Sequence, residues 1–292
     1  MSDLLTVVNV SKYFTEGFLN KRRNYAVDNV SLSIAENDAR VLTIAGESGS
    51  GKTTLSQMIL GFLKPDAGRI EFKQKPINKL GRNEWFDFRK EVQAIFQNPF
   101  EAFNPFYKID RVLKLPIRKF GIAHSSIEEA RIIEESLKVV RLDPKETLGR
   151  YPHQLSGGQL QRLMIARALV VKPKLIIADE PVSMIDVSLR AIVLDIMMTL
   201  KRDFGISFVY ITHDLSTALQ ISDDILILYR GVVVEKGKAV DVIQKPQHPY
   251  TQLLVQSIPQ PDPDKKWIEP LGKKLKLEEI NAGDHGCKFY HR

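Results

Sequence analysis

Val41–Thr53 reads VLTIAGESGSGKT, and this stretch decides the fold. Val41–Ala45 is a short apolar run without polar alternation, the pattern of a strand buried on both faces of a parallel sheet. Gly46–Thr53 then matches G-x-x-x-x-G-K-[ST], and Thr53–Phe62 continues as a helical stretch. Strand, glycine-rich turn and helix in that order form a phosphate cradle. The glycines let backbone N–H groups turn inward, and the helix N-terminus adds its positive end to the same anion. Gly46, Ser48, Gly49, Ser50, Gly51, Lys52, Thr53 and Thr54 are therefore the candidate phosphate-binding residues. Lys52 is suited to the β- and γ-phosphates and the Thr53 hydroxyl to Mg²⁺.

Working outward, Leu175–Ala178 (LIIA), Ser207–Thr212 (SFVYIT) and Ile225–Tyr229 (ILILY) are further buried-strand candidates, and Ala94–Gln97 (AIFQ) is a weaker one. Helical patterns separate several of them, which predicts an α/β fold with a mainly parallel sheet covered on both faces. Leu226–Lys236 has a turn signal at Arg230-Gly231 and reads as a hairpin. LIIA runs directly into Asp179-Glu180. Asp179 is the candidate Mg²⁺ ligand, directly or through water, and Glu180 the candidate general base for an attacking water. The chemistry expected is phosphoryl transfer to water by positioning and electrostatics. His213, after SFVYIT, is placed to contact a γ-phosphate, and the Gln97 amide to reach Mg²⁺ or the lytic water.

Between Pro99 and Lys172 no strong strand pattern appears. Ser126–Val140 is an amphipathic helix with acids in its first turns. Tyr151–Leu163 (YPHQLSGGQLQRL) opens another helix. Ser156 followed by Gln159 fits a capping box, yet Gly157 and Gly158 work against the helix they begin. Ser156, Gly157, Gly158 and Gln159 are candidates for a second phosphate contact, offering a hydroxyl and helix N-terminal N–H groups.

Composition bounds the possibilities. The chain has 292 residues, 43% of them hydrophobic and 26% charged, with a formal net charge of +7. That excess permits an anionic partner but chooses none. Its densest local run, Lys21-Arg22-Arg23, reads as a solvated loop. No apolar run approaches the roughly 18 residues of a membrane span. MSDLLTVVNV carries Asp3 and no basic segment, so it is not expected to be a signal peptide. The single cysteine, Cys287, fits a reducing, cytoplasmic setting. From Lys245 the chain turns proline-rich, which marks a boundary.

The loop GESGSGKT, Gln97, LSGGQ, LIIADE, Ser183–Asp186 and His213 together resemble, in order and spacing, the nucleotide-binding subunits of ABC transporters. The resemblance covers roughly Leu4–Lys238. It implies a P-loop NTPase (RecA-like) core at 1–98 and 173–245, an α-helical subdomain at 99–172, and a C-terminal extension at 246–292. It implies ATP and Mg²⁺ as ligands and two cassettes paired head to tail around two ATP. In that arrangement Ser156–Gln159 meets the phosphate held by the other subunit. Tyr13 is the best match for the family's adenine-stacking aromatic, with Phe14 as the alternative. Gln97 links the nucleotide site to the membrane subunits, and Asp186 belongs to a loop crossing the dimer interface. That loop departs from the family's usual Ser-Ala-Leu-Asp, reading Ser-Met-Ile-Asp.

Gln97–Pro105 (QNPFEAFNP) and Gln247–Thr251 (QHPYT) look like the oligopeptide/dipeptide/nickel importer branch. The partners so implied are a second ATP-binding subunit (a different chain, or a second copy), two membrane permease subunits and an external substrate-binding protein. The setting implied is peripheral, on the cytoplasmic side of the cell membrane. Nickel or oligosaccharides are the alternative cargo. Gly286–Arg292 (GCKFYHR) resembles the start of the cysteine motif that binds an iron–sulfur cluster in this branch, so Cys287 is a candidate ligand in a longer chain. One thiolate cannot hold a cluster that needs about four, and no cluster is expected in this chain. Two other functions compete. A soluble ATPase of the same superfamily acting on nucleic acid or ribosomes would accommodate the basic charge, but members of that kind carry long coiled coils or two cassettes, so no nucleic-acid partner is expected. A non-hydrolysing regulatory cassette is opposed by Glu180 and His213.

Overall fold

The structure, a computed structural model, describes residues 2–16, 22–258 and 288–289. Ten strands and ten α-helices are present among them. The N-terminal part holds β1 (Asp3–Glu16), β2 (Arg22–Ala35), β3 (Val41–Ala45), α1 (Lys52–Ile59), β4 (Ala67–Phe72), β5 (Lys75–Pro76), α2 (Arg82–Glu91) and β6 (Val92–Ile95). Four helices follow without an intervening strand: α3 (Ile109–Lys119), α4 (Ser126–Val139), α5 (Pro144–Thr147) and α6 (Gly157–Leu169). The chain then returns through β7 (Leu175–Asp179), α7 (Val187–Phe204), β8 (Ser207–Thr212), α8 (Leu215–Ile221), β9 (Asp224–Tyr229), β10 (Val232–Lys238), α9 (Ala239–Gln244) and α10 (Pro249–Gln256).

The main sheet has six strands in the order β10-β9-β3-β8-β7-β6. All neighbours are parallel except β10, which closes the edge as the antiparallel arm of a hairpin. Arg230 and Gly231 both take positive φ there, 44° and 83°, which is the conformation a tight primed turn requires. The unbroken apolar runs reflect a sheet packed on both sides. Leu175 and Ile177 of β7, with Val209 and Ile211 of β8, point into one core. Ile176 and Ala178, with Phe208 and Tyr210, point into the other. The helices α3, α4, α6 and α7 close the second core, where Leu113, Leu137, Leu163 and Met197 are fully buried.

A second sheet, β2-β1-β4-β5, is antiparallel and lies on the first core with α1. It is absent from the sequence reading for a local reason. Its long strands are interrupted by register shifts, and Asn9 and Asn29 sit in the left-handed region with φ of 47° and 54°. Such bulges break the period-2 alternation that marks a strand. Arg22 and Arg23, read as part of a solvated loop, instead begin β2.

Candidate functional site

β3 sits in the middle of the main sheet and delivers the glycine-rich loop to its carboxyl edge, where a doubly wound sheet places its ligand crevice. The glycines there are sterically required. Gly46 has φ of 154°, and a Cβ on it would lie 2.1 Å from the Leu228 carbonyl oxygen of β9. Gly51 has φ of 105° and would place a Cβ 2.0 Å from the Ala26 carbonyl oxygen of β2. Gly49, also at positive φ (79°), meets nothing within 4 Å and lies on the open side. The loop is thus wedged between the two sheets with its outer rim free. Lys52, buried, donates to the carbonyl oxygens of Gly46 (2.8 Å) and Glu47 (2.7 Å). Burial pushes its amine below the usual lysine value, while Glu180, Asp179 and Glu47 pull it back toward the charged form.

β7 brings the two acids to the same edge. The Asp179 carboxyl is raised above the ordinary range, first by burial and further by the neighbouring Glu180 charge. Hydrogen bonds from the Thr53 and Ser56 hydroxyls and the nearby Lys52 oppose that rise. Glu180 takes φ of 46°, a backbone state that costs a side-chain-bearing residue on the order of 1 kcal/mol. Its backbone is held on both sides of the Cα. The Glu180 N–H donates to the Ile211 carbonyl of β8 (2.9 Å), and its carbonyl accepts from the Ser183 N–H (3.2 Å) and hydroxyl (2.9 Å). This turn aims the carboxylate between two partners from neighbouring strands. Gln97 Nε2, beyond β6, donates to Oε2 at 3.0 Å, and His213 Nδ1, beyond β8, lies 3.0 Å from Oε1.

The structure therefore gathers Lys52, Thr53, Gln97, Asp179, Glu180 and His213 at one sheet edge. The other candidates lie elsewhere. Ser156 caps α6 as a full capping box: its hydroxyl accepts from the Gln159 N–H (3.2 Å), and Gln159 Oε1 accepts from the Ser156 N–H (2.8 Å). Gly157 faces the Phe100 ring, and a Cβ on Gly158 would come 2.4 Å from Leu189 Cδ1 of α7. Asp186 is the N-cap residue of α7 and makes no side-chain cap bond. Tyr13 lies on β1 opposite Tyr25, whose ring centroid is 5.7 Å away, and Phe14 beside it is exposed. The Arg23 guanidinium covers the Tyr13 ring at 4.6 Å. Arg23 reads in the sequence only as part of a solvated basic run, because the strand pairing that brings it near Tyr13 is not visible there. Cys287 lies outside the described residues.

A family model described as ABC transporter matches residues 27–183, and one described as oligopeptide/dipeptide transporter, C-terminal region, matches residues 234–292. The chain belongs to the ABC transporter family. It is an ATPase cassette of the P-loop NTPase class, and it binds ATP. The oligopeptide transport ATP-binding protein OppF of Streptococcus mutans serotype c is 42% identical over 96% of this chain and 92% of its own length. OppF of Escherichia coli (strain K12) is 40% identical over 91% of this chain and 79% of its own. Among solved structures, the dimeric cassette MJ0796 in a post-hydrolysis state with ADP and phosphate superposes with a TM-score of 0.71 and 31% identity, over 80% of this chain and 98% of that one. Among the described residues no helix of this cassette is long and apolar enough to cross a membrane.

Proposed function

We propose that this chain is the ATP-hydrolysing subunit of an importer for oligopeptides or dipeptides. The observation that carries the reading is the Glu180 carboxylate held between Gln97 and His213 beside the Lys52–Thr53 end of the phosphate loop. The tasks then divide among the residues. The loop Gly46–Thr54 and Lys52 hold the phosphates. Glu180 takes a proton from the attacking water, and His213 and Gln97 keep its carboxylate aligned. Tyr13 stacks on the adenine.

The residues fit Mg²⁺. Thr53, Asp179 and Gln97 present hard oxygen donors, the set this ion prefers, and the Thr53 hydroxyl stands near enough to Asp179 to lower its carboxyl against the effect of burial. When bound, the ion supplies charge neutralisation to the β- and γ-phosphates. The single cysteine does not supply the ligands of an iron–sulfur cluster.

Function follows from pairing. Residues 1–98 and 173–245 act as the ATP-binding core, 99–172 as the helical subdomain, and 246–292 as the extension. Ser156–Gln159 and Asp186, outside the gathered cluster, serve the site of a second cassette. The cassettes sit on two permease subunits at the cytoplasmic face, with an external binding protein delivering cargo. The similarity to two OppF proteins supports peptide as that cargo. Reconstitution in vesicles with the permease and partner ATPase subunits tests this. ATP-driven uptake of labelled oligopeptide is expected, and Glu180→Gln abolishes it. Uptake that proceeds equally with Glu180→Gln, or a purified transporter that moves no peptide, overturns the proposal.

A further inference from the structure

The Glu47 N–H of the phosphate loop donates to the hydroxyl oxygen of Tyr250, 2.9 Å away and far along the chain. The sequence Gln247-His248-Pro249-Tyr250 explains how the tyrosine is delivered. Pro249 opens α10, and the His248 ring caps it by accepting from the Tyr250 N–H at 3.1 Å. The Glu235 carboxylate of β10 accepts from the N–H groups of Gln247 (2.9 Å) and His248 (3.0 Å), which ties the turn to the sheet edge. Tyr250 is fully buried, its ring packed on Tyr229 at 4.4 Å and on Phe289 at 5.6 Å. A rigid phenol fixed at its root thus ends on a backbone amide of the loop. The same peptide is held on its other side, since the Gly46 carbonyl accepts from Lys52 Nζ at 2.8 Å.

We propose that Tyr250 is a positioning residue for ATP binding: its hydroxyl fixes the Glu47 peptide, so the affinity of the phosphate loop for nucleotide depends on the C-terminal region. The proposal rests on the reading of Gly46–Thr53 as the nucleotide site. A second link runs alongside. The Gly231 N–H donates to the Ser50 carbonyl at 2.9 Å, and Lys288 Nζ donates to the adjoining Arg230 carbonyl at 3.2 Å. The loop is therefore braced from below at Glu47 and at Ser50, while Gly49 on its rim stays open. Tyr250 does not touch the nucleotide; it acts by keeping the loop's N–H groups pointed at the phosphates.

The test is titration of the full chain with a fluorescent ATP analogue and Mg²⁺, at a temperature where circular dichroism shows every variant folded. Tyr250→Phe removes one oxygen and is expected to raise Kd about tenfold, the scale of a buried donor losing its acceptor. In the assembled transporter the change appears in KM with little change in kcat. Tyr229→Phe is the control. Its hydroxyl is buried in the same aromatic cluster and has no hydrogen-bond partner among the described residues, so Kd stays at the wild-type value. Wild-type affinity in Tyr250→Phe, with binding lost in Lys52→Ala, overturns the proposal alone. An equal rise in Tyr229→Phe and Tyr250→Phe also overturns it, because it reports loosened packing. Wild-type binding by Lys52→Ala removes the nucleotide-site reading and the proposal with it.

Discussion

His213 Nδ1 lies 3.0 Å from Glu180 Oε1, on the opposite oxygen from the Gln97 amide. The carboxylate is thereby fixed in a plane set by three strands. A base that is oriented in this way contributes on the order of 10²–10⁴ in rate. Glu180→Gln is expected to lower phosphate release at saturating ATP by about that factor while leaving ATP binding intact. Equal turnover in wild type and variant would remove Glu180 from the chemistry.

Gly46 and Gly158 are both glycines with crowded surroundings, but the crowding differs in kind. A Cβ on Gly46 meets the backbone oxygen of Leu228, held in the sheet, and φ there is 154°. A Cβ on Gly158 meets the far end of the Leu189 side chain, which can rotate away. Gly46→Ala is expected to lose about 1–3 kcal/mol or more, as overpacking of a rigid site does, and to lose ATP binding. Gly158→Ala is expected to keep ATP binding and lose less stability. Urea denaturation and nucleotide titration of the two variants check the ranking, and equal losses would contradict it.

These contrasts show where the sequence was readable. The strands β3, β7, β8 and β9 were legible because both faces of the sheet are covered, so their runs are mostly apolar without alternation. The turn at Arg230-Gly231 and the Ser156 cap were legible because their chemistry is local. β1 and β2 were not, since Asn9 and Asn29 interrupt their alternation. Gln97, Glu180 and His213 were each named at a strand end, but their direct contacts were not legible, because residues 33 and 83 positions from Glu180 meet it only when β6, β7 and β8 lie side by side. Tyr250 was quoted as part of a branch marker without a task, and only the folded chain shows what its hydroxyl reaches.

The pair Arg118–Glu129 joins α3 to α4 through two parallel hydrogen bonds, 2.7 and 3.0 Å. The Arg118 guanidinium holds the Glu129 carboxyl below the ordinary glutamate value, against the opposing effect of burial. The sign follows. A carboxyl whose folded value is depressed contributes stability above its unfolded value, near 4.5, and loses it as pH falls through the folded value. Arg118→Gln is therefore expected to lower Tm at pH 7, with the gap to wild type closing as the pH falls below 4.5. A gap that stays constant to the acid limit would show that the pair contributes packing alone.

Ser156 has two separable tasks. As the N-cap of α6 its hydroxyl accepts from the Gln159 N–H, a bond whose loss costs about 1 kcal/mol. As the edge of an exposed helix N-terminus it meets the second cassette's phosphate in the proposed dimer. Ser156→Thr keeps the cap oxygen, whereas Ser156→Arg removes it and adds bulk and charge at the interface. Both variants are expected to bind ATP as isolated chains, because Ser156 stands outside the cluster of Lys52, Thr53, Asp179 and Glu180. Only Ser156→Arg should fail to form the ATP-induced dimer when combined with Glu180→Gln, as read by size-exclusion chromatography with the partner subunit. Loss of nucleotide binding by the isolated Ser156→Arg chain would contradict this division, since it would place Ser156 in its own chain's site.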